Sequence, residues 1–184
     1  MGKRRAKTGA MGKRVALLRG INVGGGRKVP MAELRAVAEG LGLQEVRTFI
    51  ASGNLLFSSP EAPAALEARL EPALVAHFGF PVDVMVRTAE QWHASIAADP
   101  FPAEAEGAPK FLMLYAGKEA RAEEAVPALA ARAAPEEKVM GRGDMIWIFF
   151  GNGGGRSKLA AGPKPGLWTG RNWRSVLAIG EMLR

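Results

Sequence analysis

Apolar positions along this chain change period several times, and each change marks a predicted element. "RVALLRG" (Arg14–Gly20) places Val15, Leu17 and Leu18 in an extended run and predicts a first strand. Met31, Leu34, Val37, Ala38 and Leu41 then recur at helical spacing behind Pro30, which suits a first helical position, and Gly40 or Gly42 supplies the stop. "VRTFIA" and "LLFSS" read as two strands joined by the tight-turn chemistry of Ser52, Gly53 and Asn54. A second helix follows Ser59 and Pro60, with Leu66, Leu70, Leu74 and Phe78 on one side and Pro72 expected to kink or divide it. "VDVMV" (Val82–Val86) is a fourth strand, completing the order βαββαβ.

The second half repeats much of this order. Thr88 to Gln91 form a capping box that opens a helix with Trp92 and Ile96 inward and His93 toward solvent. "DPFPAEAEGAP" reads as a loop and "FLMLYA" (Phe111–Ala116) as a strand. An alanine-rich helix follows, interrupted at Pro127, and then a hairpin of "EKVM" and "MIWIFF" turning at Gly141 to Asp144. A long glycine loop leads to a last helix, Asn172–Leu183, capped by Thr169 or Gly170 and carrying a stripe of Trp173, Val176, Leu177 and Gly180. The expected fold class is therefore α+β, with two ferredoxin-like split halves in one compact protein. The second lacks its final strand. The boundaries are residues 1–12 for a basic tail, 13–88 for the first half and 89–184 for the second.

The chain has 184 residues, 48% hydrophobic and 23% charged, which is enough apolar material for a core. It has no cysteine, which excludes disulfides and thiolate metal sites and fits a reducing, cytoplasmic setting. His77 and His93 are the only histidines, so no metal centre and no cofactor are expected. The net charge is +7, and Lys3, Arg4, Arg5 and Lys7 supply more than half of it without an acid among them. That tail reads as a disordered solubilising extension or as a nucleic-acid-binding arm. No secretory leader is expected, because "VALL" is followed at once by Arg19. The longest strongly apolar run, Met145–Phe150, is too short to span a membrane, so no membrane partner is expected.

The candidate chemistry lies in two glycine loops. "GINVGGGRKVP" (Gly20–Pro30) and "FFGNGGGRSKL" (Phe149–Leu159) each follow a strand, and each has three glycines, an arginine and a nearby lysine. Consecutive backbone N–H groups and flanking cations suit an anion. The candidate ligand-binding residues are Asn22, Gly24, Gly25, Arg27, Lys28, Arg156, Ser157, Lys158 and Arg171. Neither loop is a P-loop or a dinucleotide fingerprint, and both also read as turns that need glycine's positive φ. In the half-to-half register Gly151 falls opposite "SSPEAP", so the second loop is not an echo of the first. The first and third strands of each half are expected to run side by side and parallel. That premise predicts a single shared anion site built from Arg27, Lys28, Arg156 and Lys158.

There is no nucleophile–base pair, nucleophile elbow or carboxylate cluster. The leading reading is a binder of a phosphate-bearing or otherwise anionic small molecule, a nucleotide included. The alternatives are an enzyme acting on such a ligand through Arg and Lys electrostatics, with Ser157 as a weak nucleophile, and a nucleic-acid binder, the weaker partner class. The pattern assigns no oligomeric state.

"LLRGINVGGGRKVPMAELR", "ASGNLLF", "DPFP", "GRSKL" and "TGRNW", in that order, resemble the bacterial domain of unknown function 1697 family over about Val15 to Leu183. The resemblance implies a pair of ferredoxin-like subdomains and no established activity. It implies that Gly20, Asn22, Gly24, Arg27, Lys28, Pro30, Ser52 to Asn54, Arg156 to Lys158 and Arg171 to Trp173 occupy motif positions.

Overall fold

The computed structural model describes residues 9–184, so the tail expectation for residues 1–8 lies outside the described residues. Residues 9–12 are tied to the fold: Gly9 N–H donates to the Pro60 carbonyl, and Gly12 begins the first strand. The chain divides into two compact units, Met1–Gln91 with Leu183–Arg184, and Trp92–Met182.

The first unit runs β1 (Gly12–Leu18), α1 (Met31–Gly40), β2 (Gln44–Phe49), β3 (Asn54–Ser59), α2 (Pro63–Phe78) and β4 (Val84–Thr88). Its sheet has the order β2-β3-β1-β4, and every neighbouring pair is antiparallel. Alternate residues of the strands, Ala16 and Leu18, Leu55 and Phe57, Val84 and Val86, point to one face. There they meet Leu34 and Ala38 of α1 and Leu66, Leu70 and Leu74 of α2, all buried. β4 lies at the sheet edge, and α2 covers its outward donors: Glu71 accepts from Val84 N–H at 2.9 Å and Glu67 from Val86 N–H at 2.8 Å. Pro72 does not divide α2, because it lies on the helix's exposed side, away from the leucine stripe.

The second unit, which takes α3 (Ala89–Ala97) from Trp92 onward, continues with α4 (Pro102–Gly107), β5 (Leu112–Lys118), α5 (Ala122–Ala130), β6 (Lys138–Arg142), β7 (Met145–Phe149), β8 (Leu167–Asn172) and α6 (Trp173–Met182). The capping box opening α3 is formed in both directions: Gln91 N–H donates to Thr88 Oγ1 at 3.1 Å, and Thr88 N–H to Gln91 Oε1 at 2.9 Å. The sheet order is β6-β7-β5-β8, again antiparallel throughout. Ala122, Ala125 and Leu129 of α5 pack on Ile146, Ile148, Phe150, Leu159 and Trp168. α5 continues through Pro127, and part of "DPFPAEAEGAP" forms α4 instead of a plain loop.

Three further sequence expectations need correction. First, this unit does have a final strand. Leu167–Asn172 pairs with β5 from Lys118 to Met113, and the helix begins only at Trp173, where Asn172 Oδ1 accepts Ser175 N–H at 3.0 Å. Gly170 misled the sequence reading. It is there because an added Cβ would lie 2.7 Å from the Tyr115 ring, and not to cap a helix. Second, the first and third strands are antiparallel, as β1 with β3 and β5 with β7. The second strand of each unit runs the same way as the first, so the hairpin that follows it makes the third oppose the first. The premise for one shared glycine-loop site falls with this, and each loop is described in its own unit. Third, His93 does not face solvent. Its Nε2 lies 2.8 Å from the Gly180 carbonyl, while Trp92 Nε1–H donates to the Val176 carbonyl at 3.0 Å. These bonds hold α3 on α6, where an added Cβ at Gly180 would lie 2.6 Å from Ile96 Cδ1.

Trp173 is 3% exposed and heads the buried stripe of α6 with Val176 and Ile179. Trp173→Ala is expected to cost about 3–5 kcal/mol of stability. Denaturant unfolding of the two proteins checks this, and an unchanged midpoint would contradict a core role.

Candidate functional site

The first glycine loop joins β1 to α1, and Asn22 organises it. Asn22 has a φ of 55°, and its backbone N–H donates to the Arg27 carbonyl at 3.1 Å. Its Nδ2 donates to the carbonyls of Val29 at 3.0 Å and Ala51 at 2.8 Å, and its Oδ1 accepts Val29 N–H at 2.8 Å. Both amide donors are therefore used inside the protein. Ile21 and Val29, the two ends of the loop, are buried beneath it.

The bond to Ala51 connects this loop to the β2–β3 turn, so the "GINVGGG" and "ASGN" stretches form one corner. Leu18 N–H donates to the Gly53 carbonyl at 2.8 Å. Gly53 has a φ of 85°, and an added Cβ would come 2.8 Å from Ile21 Cδ1 and 2.9 Å from Leu18 Cβ. Asn54 Nδ2 donates to the Phe49 carbonyl at 2.9 Å and to Ser52 Oγ at 3.1 Å. Ile50 has a φ of 49° although it is β-branched and 50% exposed, a conformation that costs of order 1–3 kcal/mol. Against this corner lies a cavity of about 420 Å³ lined by Asn22, Gly25, Gly26, Lys28, Pro30 and Ala51, among others. Gly24 and Arg27 belong to the loop but not to the cavity lining. Both have positive φ, 61° and 46°, and Arg27 is exposed.

The second glycine loop lines a larger cavity, about 720 Å³, inside the second unit. One wall follows α5 and contributes Arg132, Glu136 and Glu137. The other follows β7 and contributes Asn152, Gly153, Gly155, Arg156, Ser157 and Lys158, with Phe150 between. Buried Leu159 anchors the far end of this wall. Ser157 Oγ accepts Leu159 N–H at 2.9 Å, which makes it a turn-former. Glu137 accepts Ala134 N–H at 2.8 Å and Arg132 Nε donates to the Ala128 carbonyl at 3.0 Å, so both residues fix the α5 wall.

The loop cations stand without carboxylate partners, as do Arg142, Lys164 and Arg174 among the described residues. Elsewhere Arg19 pairs with Asp83 at 3.2 Å, Arg69 with Glu61 and Lys138 with Glu104. Among the described residues Arg27, Lys28, Arg156 and Lys158 make no such pair. The loops share one more feature. Gly26 and Gly155 each stand directly before the arginine and line a cavity. Neither has a positive φ, and an added Cβ at either would meet nothing within 4 Å. Neither backbone conformation nor packing asks for glycine at these two places, and the peptide is bare toward the cavity.

Arg171 does not line either cavity. It lies buried in β8, where its Nη1 donates to Thr169 Oγ1 at 2.9 Å and to the Gly170 carbonyl at 2.8 Å. Burial lowers its pKa to about 10, and it stays protonated at neutral pH. His77 lies 2.8 Å from a Glu33 carboxylate oxygen on the exposed side of α2. Burial also raises the Asp99 and Tyr115 pKa values, but neither residue lines either of these two cavities. No group of metal-ligating side chains occurs among the described residues, and no described helix is long and apolar enough to cross a membrane. The α5 wall, Arg132, Glu136 and Glu137, is the part of the site that sequence reasoning missed. It stands well before the glycine loop in the chain and carries no motif.

Among the described residues, two four-stranded antiparallel sheets with six α-helices make this an α+β protein. It belongs to the family described as protein of unknown function DUF1697, whose model matches residues 11–147. The first glycine loop lies inside that match, while Arg156, Ser157, Lys158 and Arg171 lie beyond it. The chain is similar to the structure of the conserved bacterial protein SP0830 from Streptococcus pneumoniae, with 28% identity and a TM-score of 0.79 over 95% of this chain and 100% of that one. Among curated proteins, none matches.

The Asn22 brace is open to test. Asn22→Asp sets an acceptor against the Val29 and Ala51 carbonyls and is expected to cost about 1–3 kcal/mol, with faster hydrogen exchange at Val29. Wild-type unfolding and exchange would mean that the brace carries no weight.

Proposed function

We propose that this protein binds a phosphate-bearing or otherwise anionic small molecule, with its principal site in the cavity of the second glycine loop. The carrying observation is the cavity wall: Arg156 and Lys158 without carboxylate partners, Arg132 opposite, and bare backbone at Gly155. Three cations against the two carboxylates Glu136 and Glu137 leave the cavity lining with a net positive charge, which favours an anion. At about 720 Å³ the cavity falls in the size range of small-molecule sites. A phosphate oxygen can approach a glycine peptide more closely than any residue with a Cβ would allow, which gives Gly155 a reason to be glycine.

The first loop supports a second, smaller anion-facing place, where Gly25, Gly26 and Lys28 stand beside the start of α1. Asn22, with its donors already used, has a bracing role there. Arg171, outside both cavities, adds positive charge within β8. The strand orders and crossover connections support reading both units as ferredoxin-like, the second without a helix in its second crossover. A cysteine-free chain suits a cytoplasmic setting.

Calorimetric titration with inorganic phosphate and with nucleotides tests the reading. Arg156→Ala is expected to weaken binding roughly 10- to 100-fold, the loss of one charge-assisted hydrogen bond. Binding that is absent in the wild type, or equal in the variant, would overturn it. Gly155→Ala separates fold from site. The helical turn at Gly154–Arg156 accepts alanine, so stability should hold or rise by about 0.4–1 kcal/mol while affinity falls. A variant that binds as well as the wild type would remove the close-approach role.

A further inference from the structure

The larger cavity has carboxylates as well as cations, and they are not equivalent. Glu137 is turned onto Ala134 N–H, whereas Glu136 has no protein partner among the described residues. The chain makes room for it. Gly151 has a φ of 54°, and an added Cβ there would overlap the Glu136 side-chain stem. A carboxylate is an acceptor only, so a ligand that is anionic at both ends would face a like charge at Glu136. A ligand with an ammonium there would pair with Glu136 but would also place a cation on the wall that Arg132 shares. Neutral donors avoid both penalties. Hydroxyl groups donate to a carboxylate without adding charge, and Phe150 between the two walls offers an apolar surface to a carbon skeleton.

We infer that the ligand of this cavity is a phosphorylated polyol of the sugar-phosphate class, its phosphate on Arg156, Lys158 and the Gly155 peptide and its hydroxyls on Glu136. This rests on the anion-binding reading and adds the ligand's other end. The cavity is far larger than inorganic phosphate, which leaves space for a carbon chain of several atoms.

The test is calorimetric titration at fixed ionic strength with inorganic phosphate, ribose 5-phosphate and phosphoethanolamine, using wild type, Glu136→Ala and Arg156→Ala. Ribose 5-phosphate should bind the wild type at least about tenfold tighter than inorganic phosphate, the worth of one good hydrogen bond to a charged group. Glu136→Ala should erase that advantage and leave inorganic phosphate bound as well as before or better. Equal affinities in the wild type, a preference for phosphoethanolamine, or an advantage that survives Glu136→Ala would each overturn the polyol assignment while leaving the anion site standing. If no probe binds the wild type, the anion site itself fails and this assignment with it. Glu136 is exposed on a loop, so thermal melts of the variant should match wild type and confirm that affinity alone is being read.

Discussion

A central strand has hydrogen-bonding groups along both edges, and both must be filled. In this protein β1 is filled by β3 and β4, and β5 by β7 and β8. Everything else about the two sheets follows from that. Each third strand arrives through a hairpin from the second, which runs the same way as the first, and so opposes the first. The chain must then cross over the central strand to reach its far side. In the first unit α2 makes that crossing, and its Leu66, Leu70 and Leu74 cover the sheet face beneath. In the second unit the same crossing is made by the stretch from Phe150 to Gly166, which carries only one short helical turn. The larger cavity lies beside the start of this coil, and it is the place where the two units differ most.

Helix and strand identities were largely readable in the sequence because they rest on local period. The α1 stripe, the β2–β3 turn and the capping box at Thr88 are near-neighbour patterns, and the structure has them. What failed depended on partners distant in the chain. "LWTGRN" is a strand only because β5 leaves an edge for it. His93 is held by Gly180, far along the sequence. Pro72 and Pro127 signal breaks by intrinsic preference alone, yet both helices continue through them.

The candidate site divides in the same way. Glycine runs and paired cations signalled the two loops from the sequence alone. The placement of Asn22 among ligand-binding residues came from its position in a motif. Its hydrogen bonds give it a different task, holding Val29 and Ala51. Glu136 and Arg132 had no signal, since a cavity wall made from two separated segments has no spacing to read. The family match ends before the second glycine loop, so that loop is argued from its own geometry.

The β2–β3 turn holds a strained Ile50 next to the carbonyl that receives the Asn22 amide. An engineer seeking a more heat-resistant protein would choose position 50 first, since glycine or asparagine there relieves the unfavourable φ at once. Asparagine, which favours that φ, would hold the turn and the Ala51 oxygen in place, whereas glycine would also free the backbone on which the Asn22 amide is hung. The choice between them decides whether added heat resistance leaves the glycine loop as firmly braced as before.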